Sequence, residues 1–168
     1  MQFAFLNYVQ QKIKDMKKTG IILLLVLASV AYTNSIQAQN YKTALGIRFS
    51  SHDATINNSL SLKYFVNSST AVEALFSFSD PVAIGALLEK HNALSGSGQG
   101  LTWFYGAGLF VGFGGTRNFG PQGIVGLDYK FTNIPLNLSL DWKPELSIVK
   151  DFSFEPAAIG ASVRFTFN

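Results

Sequence analysis

Apolar and polar residues alternate at the carboxyl end of the chain, in the segment 159–167. Apolar side chains occupy every second position there, and the positions between them are small or polar and include Arg164. A period of two is typical of a β-strand with two unlike faces. The pattern therefore predicts a last strand whose aliphatic and aromatic face lies opposite a face that includes a full positive charge.

Seven further segments alternate in the same way and are separated by turn residues such as Asn67-Ser68-Ser69 and Asp80-Pro81. Each is roughly ten residues long, which is the length that a tilted strand needs to cross a bilayer. An even number of strands returns both chain ends to one side, and closure of the sheet satisfies every backbone group. The eight predicted strands are 41–50, 56–66, 70–79, 82–90, 101–113, 123–131, 136–145 and 159–167.

A different pattern precedes the first strand. Two lysines follow Met16, an apolar run covers 21–31, and Ala38 ends the polar stretch behind it. This order is typical of a signal peptide, and the run is about half of the roughly 20 residues that a membrane helix needs. We predict a leader over 1–38 that starts at Met16 and a barrel domain over 39–168; a membrane anchor or a core helix is the alternative.

The composition favours a membrane face over a soluble surface. Hydrophobic residues make up 48% of the chain and charged residues only 14%, whereas about 25% is usual in soluble domains. Four lysines and one aspartate fall in the predicted leader, so the remainder contains equal numbers of acidic and basic residues. The positive net charge therefore does not indicate a nucleic-acid partner. The absence of cysteine excludes disulfides and thiolate metal sites.

The polar faces of the predicted strands carry charges of both signs. If the apolar faces point outward, these charges point into the barrel, and an eight-stranded interior is just wide enough for side chains to fill it. Charges there must be paired, because an unpaired buried charge is costly. We predict an ion-pair network that closes the lumen; a path for protons or solutes is the alternative. The predicted inward charges are Arg48, Lys63, Glu73, Glu89, Asp128, Lys130, Asp141, Lys143 and Arg164.

The leader, the alternation, the inward charges and the final Val163-Arg164-Phe165-Thr166-Phe167-Asn168 together resemble the small eight-stranded bacterial outer-membrane proteins of the OmpA/OmpX type. The resemblance covers 41–168. It implies an all-β, antiparallel, up-and-down transmembrane β-barrel in the cell outer membrane. The implied partners are outer-membrane lipid, lipopolysaccharide and the barrel-assembly machinery.

In that family the last strand also serves as the signal that the assembly machinery reads. The resemblance assigns this role here to Val163, Phe165 and Phe167. Two features depart from the family pattern: the last aromatic residue is penultimate, with Asn168 behind it, and the predicted outer loops are short.

Catalytic chemistry is sparse in this sequence. The only histidines, His52 and His91, are predicted at opposite ends of the barrel. The neighbours Ser51, His52 and Asp53 form a poor triad, because consecutive strand residues point to opposite faces. We therefore expect a non-enzymatic protein without a cofactor or metal, with a structural or interaction role in the envelope.

Three other functions stay open as alternatives. These are a narrow transport barrel for small or apolar solutes, an outer-membrane lipid hydrolase, and a secreted lipocalin-like carrier. A soluble carrier would place its apolar face inside and Arg48 and Arg164 in water. Its exterior would then need far more charge than this chain supplies.

Overall fold

A computed structural model describes residues 41–50, 54–94, 100–114, 118–149, 152–156 and 158–168. The predicted leader with its cleavage site at Ala38, and the trio Ser51, His52 and Asp53, lie outside these residues. In the described ranges, no helix is long and apolar enough to cross a membrane.

The described residues form ten β-strands in one antiparallel sheet. The strands are β1 (Thr43–Ser50), β2 (Ser59–Asn67), β3 (Thr70–Ser77), β4 (Val82–Ala93), β5 (Leu101–Phe113), β6 (Phe119–Lys130), β7 (Leu136–Trp142), β8 (Glu145–Ser147), β9 (Ser153–Glu155) and β10 (Ile159–Phe167).

Eight of these strands close into a barrel. Each strand from β1 to β6 pairs with the next, and β10 lies between β1 and β7. The closing ladder runs from the pair Thr43 and Phe167 to the pair Ser50 and Gly160. The prediction of an all-β, eight-stranded, antiparallel closed barrel is therefore confirmed. Closure leaves no open edge among the eight wall strands, so the backbone groups along both sides of each strand can find partners.

The two short strands extend the barrel wall at one end, where the sequence predicts a loop. Pro144 interrupts the seventh strand because it has no backbone N–H, but its carbonyl oxygen still accepts a hydrogen bond from Gly123 N at 3.0 Å. Beyond it, β8 continues beside β6 through the pair Gln122 and Glu145, and β9 pairs with β8. The predicted strand 136–145 thus ends early, at Trp142, and its last residue, Glu145, is the first residue of β8.

The second predicted strand starts too early. Its first residue, Ile56, is not in β2, and its side chain is fully buried. Ile56 Cδ1 occupies the space inside the barrel that a Cβ atom on Gly85 would need. Two strands are longer than predicted: β4 continues to Ala93 and β6 starts at Phe119. Their ladders with β5 continue through these residues, so pairing overrides the local turn signals.

The interior has an apolar part and a charged part. The apolar part is one cluster whose side chains come mainly from β3 to β6: Ile56, Leu75, Ala83, Leu87, Phe104, Phe110 and Ile124. A smaller apolar cluster, which includes Tyr41 and Phe65, lies where the chain enters β1. The charged residues described below fill the space beside these clusters.

The outer face of the wall is apolar. On β10, for example, Val163, Phe165 and Phe167 are exposed, whereas Ser162, Arg164 and Thr166 are buried. The other wall strands show the same alternation, with exposed residues that include Leu45, Ile47, Phe49, Leu60, Leu62, Val72, Phe76, Val82, Ile84, Leu88, Leu109, Phe113, Val125, Leu127, Leu140 and Trp142.

Candidate functional site

The barrel interior holds eight of the nine charges that the sequence assigns to it. Their side chains are buried, and they belong to seven of the eight wall strands or to the segment that follows β7: Arg48, Lys63, Glu73, Glu89, Asp128, Asp141, Lys143 and Arg164. Lys130 is the exception, because it is half-buried at the end of β6. Its Nζ donates to the carbonyl oxygens of Phe131 and Ile134, so it holds the β6–β7 turn and takes no part in the ion pairs described here.

Arg164 connects four strands through its guanidinium group. Its Nη2 lies 2.5 Å from Glu73 Oε1 on β3, and its Nε donates to Ser61 Oγ on β2 at 2.6 Å. Its Nη1 donates to Ser139 Oγ on β7 at 2.7 Å, and Nη2 also donates to Ser162 Oγ on β10 at 3.0 Å. Because the guanidinium is planar with five donors, this number of partners suits arginine better than lysine.

Lys63 is surrounded by three carboxyl groups. Its Nζ lies 2.8 Å from Glu89 Oε2, 3.4 Å from Glu73 Oε2 and 3.9 Å from Asp128 Oδ1. The ammonium also lies 4.5 Å from the centroid of the Phe104 ring, a cation–π arrangement. Lys63 is fully buried, so these partners replace the water that an exposed lysine would bind.

His91 joins this group, although the sequence analysis placed it at the rim of the barrel and gave it no role. Its Nε2 lies 2.9 Å from Glu89 Oε2, and its ring stacks on Phe104 with centroids 4.9 Å apart. Phe65 packs edge-on against the other side of the ring. We call the set of Lys63, Glu73, Glu89, His91, Asp128 and Arg164 the Lys63 cluster. Alternation along β4 places His91 on the inner face with Glu89, and this pattern in the sequence could have predicted that His91 faces the interior.

Tyr41 lies beside the Lys63 cluster at the entry to β1. Burial, and to a smaller extent the nearby Asp128 carboxylate, raises the pKa of the Tyr41 phenol well above its usual 10. The phenol therefore stays neutral, and it adds no charge to the interior.

A second group of charges is balanced within itself. Arg48 forms two hydrogen bonds with Asp141, with Nη2 to Oδ1 at 2.5 Å and Nε to Oδ2 at 3.2 Å. Lys143 pairs with Glu145, and its Nζ also donates to Gln122 Oε1 at 3.2 Å. We call Arg48, Asp141, Lys143 and Glu145 the Arg48 cluster. Bidentate arginine–carboxylate geometry is among the strongest of protein hydrogen-bonded pairs.

Glu145 also fixes the loop between β1 and β2. Its carboxylate accepts hydrogen bonds from the backbone N–H groups of Thr55 at 2.7 Å and Ile56 at 3.3 Å. This contact positions Ile56 over the barrel interior. The sequence pattern makes Glu145 the last residue of the predicted strand 136–145 and does not count it among the inward charges, because Pro144 hides the continuation of the strand.

A recess of about 430 Å³ lies at the end of the barrel where these loops meet. It is lined by Ala54, Thr55, Asn57, Asn58, Ser79, Asp80, Pro81 and Asn118. None of these residues belongs to the Lys63 cluster or the Arg48 cluster, so the recess does not expose the buried charges.

The residues to which the family resemblance assigns an assembly signal lie together on the outer face. Val163, Phe165 and Phe167 pair with Ile47, Leu45 and Thr43 of β1. Their side chains form a continuous apolar row that the barrel interior does not use.

Comparison with known proteins gives no match: no family model, no curated protein and no solved structure is significantly similar to this chain. Among the residues described by the structure, no group of three or more histidine, aspartate or glutamate side chains is arranged to hold a metal ion.

We expect Gly160→Ala to destabilise the barrel. A Cβ atom at Gly160 would lie 2.8 Å from Arg48 Nε and closer still to Arg48 Cζ and Nη2, so the guanidinium would have to move away from Asp141. Overpacking of this kind costs about 1–3 kcal/mol. Gly123→Ala is the matched control, because its Cβ would meet only Pro144 Cγ, at 3.7 Å.

Urea unfolding of the purified barrel in detergent measures the effect. A Gly160→Ala midpoint equal to that of Gly123→Ala would contradict the role of Gly160 in seating Arg48.

Proposed function

We propose that this protein is an integral outer-membrane β-barrel of the OmpA/OmpX-like kind, with a non-enzymatic structural or interaction role in the cell envelope. The observation that supports this is the inverted distribution of its side chains. Among the residues that the structure describes, Arg48, Arg164 and Lys63 are the largest fully buried side chains, whereas leucine, isoleucine, valine and phenylalanine cover the outside.

The inverted distribution has a direct energetic argument. Full burial of one large apolar side chain contributes about 1.5–3 kcal/mol, and the outer face presents many such side chains together. Monomeric soluble proteins rarely expose contiguous apolar surface on this scale. Hydrocarbon around the wall would remove that surface from water, and the partners implied by this setting are outer-membrane lipid and lipopolysaccharide.

The closed hydrogen-bonding pattern supports the same setting. Hydrocarbon offers no partner to a backbone N–H or C=O group, so a lipid-exposed sheet must close. The chain achieves closure through β10, which pairs with β1 on one side and with β7 on the other. A secreted lipocalin-like carrier fits less well, because its apolar face would have to line the interior that the charges occupy.

The non-enzymatic role is supported by how the interior charges are used. Each carboxylate of the Arg48 cluster is paired with a cation, and the carboxylates of the Lys63 cluster lie around Lys63 and Arg164. These side chains are almost fully buried, so a substrate would have to displace a filled interior to reach them. We therefore assign them to filling and fixing the barrel.

Fractionation of a Gram-negative host that expresses the full chain tests the location. We expect the product in the outer-membrane fraction, with an amino terminus at Gln39 after cleavage behind Ala38. Amino-terminal sequencing of that fraction is the measurement. An uncut chain in the cytoplasm, or a cut chain that is soluble in the periplasm, would contradict the proposal.

Phe165→Asp tests whether the outer face contacts lipid. Phe165 is 60% exposed, so in water the change would be nearly neutral, within about 0.5 kcal/mol. In hydrocarbon the carboxylate is costly, although less so than the roughly 2–4 kcal/mol of arginine or lysine at the midplane. We expect a several-fold loss of folded barrel from the membrane fraction.

The mobility difference between boiled and unboiled samples measures the folded fraction. Asn168→Asp is the control, because it adds the same charge at the exposed residue behind β10 and should leave the folded band unchanged. A Phe165→Asp barrel that forms as well as the control would contradict the lipid contact.

Planar-bilayer recording separates the structural role from the transport alternative. The filled interior and the paired charges lead us to expect little steady conductance from the purified protein. The Arg48→Ala variant is the comparison, because it removes the largest side chain from the Arg48 cluster and opens space beside Gly160. Large, reproducible channels from the unmodified protein would favour transport.

A further inference from the structure

The charges of the Lys63 cluster do not balance. Among the described residues, its carboxyl groups are Glu73, Glu89 and Asp128, and its permanent cations are Lys63 and Arg164. Fully ionised, with His91 neutral, the cluster would carry one net negative charge in a space almost without exposure to water. The Arg48 cluster has two carboxylates and two cations and needs no correction.

The excess charge coincides with two carboxyl groups that lie against the same ammonium group. Lys63 Nζ is 3.4 Å from Glu73 Oε2 and 2.8 Å from Glu89 Oε2, and both glutamates are buried. Glu73 Oε2 and Glu89 Oε1 are the carboxyl oxygens of this pair that have no other hydrogen-bond donor. Two ionised carboxylates contain only acceptors, so they repel each other unless a proton lies between them.

The other oxygen of each glutamate already has its donors. Glu73 Oε1 accepts from Arg164 Nη2 at 2.5 Å and from Ser61 Oγ at 2.5 Å. Glu89 Oε2 lies 2.8 Å from Lys63 Nζ and 2.9 Å from His91 Nε2. A proton on Glu89 Oε1 that is donated to Glu73 Oε2 would therefore satisfy the two remaining oxygens.

We propose that Glu73 and Glu89 share one bound proton, as a carboxylic acid–carboxylate pair enclosed in the barrel. With this proton the Lys63 cluster has no net charge. The Glu73–Glu89 pair is then a proton-binding site that joins β3 to β4, and its formation does not depend on the membrane location proposed above.

The groups that face the pair from other strands are poorer places for the proton. Asp128 on β6 already accepts a hydrogen bond from Asn137 Nδ2 at 2.7 Å. A protonated His91 would place a second positive charge beside Lys63, and its Nδ1 has no acceptor among the described residues. Tyr41, before β1, is neutral, and Arg164 on β10 already donates to Glu73.

The shared proton makes stability depend on pH in a definite direction. In the unfolded chain a glutamate has its ordinary pKa of about 4.3, so at neutral pH both glutamates are ionised. The folded barrel then binds one proton more than the unfolded chain. His91 is neutral in the folded barrel, so below about pH 6.5 its protonation in the unfolded chain offsets this difference. The unfolding equilibrium constant should therefore increase about tenfold per pH unit from about pH 6.5 up to the pH at which the folded pair releases the proton.

Glu89→Gln tests the proposal because its amide mimics the protonated carboxyl group. The amide can donate to Glu73, and its oxygen can accept from Lys63 and His91. We expect a folded barrel that lacks the tenfold-per-unit increase above about pH 6.5, as measured by urea unfolding in detergent between about pH 5 and pH 9. Asp141→Asn is the control: it breaks the pair with Arg48 and lowers the midpoint, but it should keep the wild-type dependence on pH.

An infrared measurement keeps the proposal testable if Glu89→Gln does not fold. A protonated carboxyl group has a C=O stretching band distinct from that of carboxylate, and the wild-type barrel should show this band at neutral pH. The Asp141→Asn barrel should keep the band. Absence of the band from the wild type, or an equal pH dependence in wild type and a folded Glu89→Gln barrel, would overturn the proposal. A requirement for sodium in place of the proton would also overturn it.

Discussion

Arg164 takes part both in the closure of the sheet and in the pairing of the buried charges. It stands on β10, the strand that has β1 on one side and β7 on the other, and its guanidinium reaches Glu73 on β3 and Ser61 on β2. Its partners are correctly placed only when the barrel is closed in one register. The ion pair with Glu73 therefore depends on closure, and closure in turn is specified by this pair.

Buried ion pairs are weak evidence for stability, because desolvation offsets most of the attraction between the charges. Their clearer effect in this barrel is on register. Since side chains alternate along a strand, a slip of β10 by one residue would put Arg164 on the apolar outer face and Phe165 in the interior. The outer residues alone would tolerate a slip of two, whereas Arg164 would then lose Glu73, Ser61 and Ser139 together.

The alternation in the sequence was enough to predict eight strands, their antiparallel closure and the inner face on which eight of the nine charges lie. It failed where a contact between distant parts of the chain overrides a local signal. The sequence pattern predicts Ile56 in a strand, but its side chain fills the barrel interior, because the Glu145 carboxylate accepts a hydrogen bond from the backbone of its loop. Lys130 alternates with the inward residues, yet its long side chain bonds to the turn at the strand end.

The contacts inside the Lys63 cluster could not be predicted at all. Glu73 and Glu89 are on adjacent strands, but whether their carboxyl groups meet depends on ladder register and on side-chain rotamers. The register pairs Glu73 with Leu87 and Glu89 with Ala71, so the two glutamates are diagonal neighbours on the inner face. Diagonal positions are within reach of long side chains, and Lys63, directly opposite Glu73 on β2, lies close to both carboxyl groups.

Phe104 connects the apolar and the charged parts of the interior. It belongs to the apolar cluster of β3 to β6, and its ring contacts both Lys63 and His91. An aromatic ring at this position excludes water from one side of the Lys63 cluster while its face still attracts the ammonium group. Exclusion of water strengthens the attractions and the repulsions among the charges alike. The apolar cluster is therefore one reason why the carboxyl groups must be neutralised within the barrel, either by a cation or by a proton.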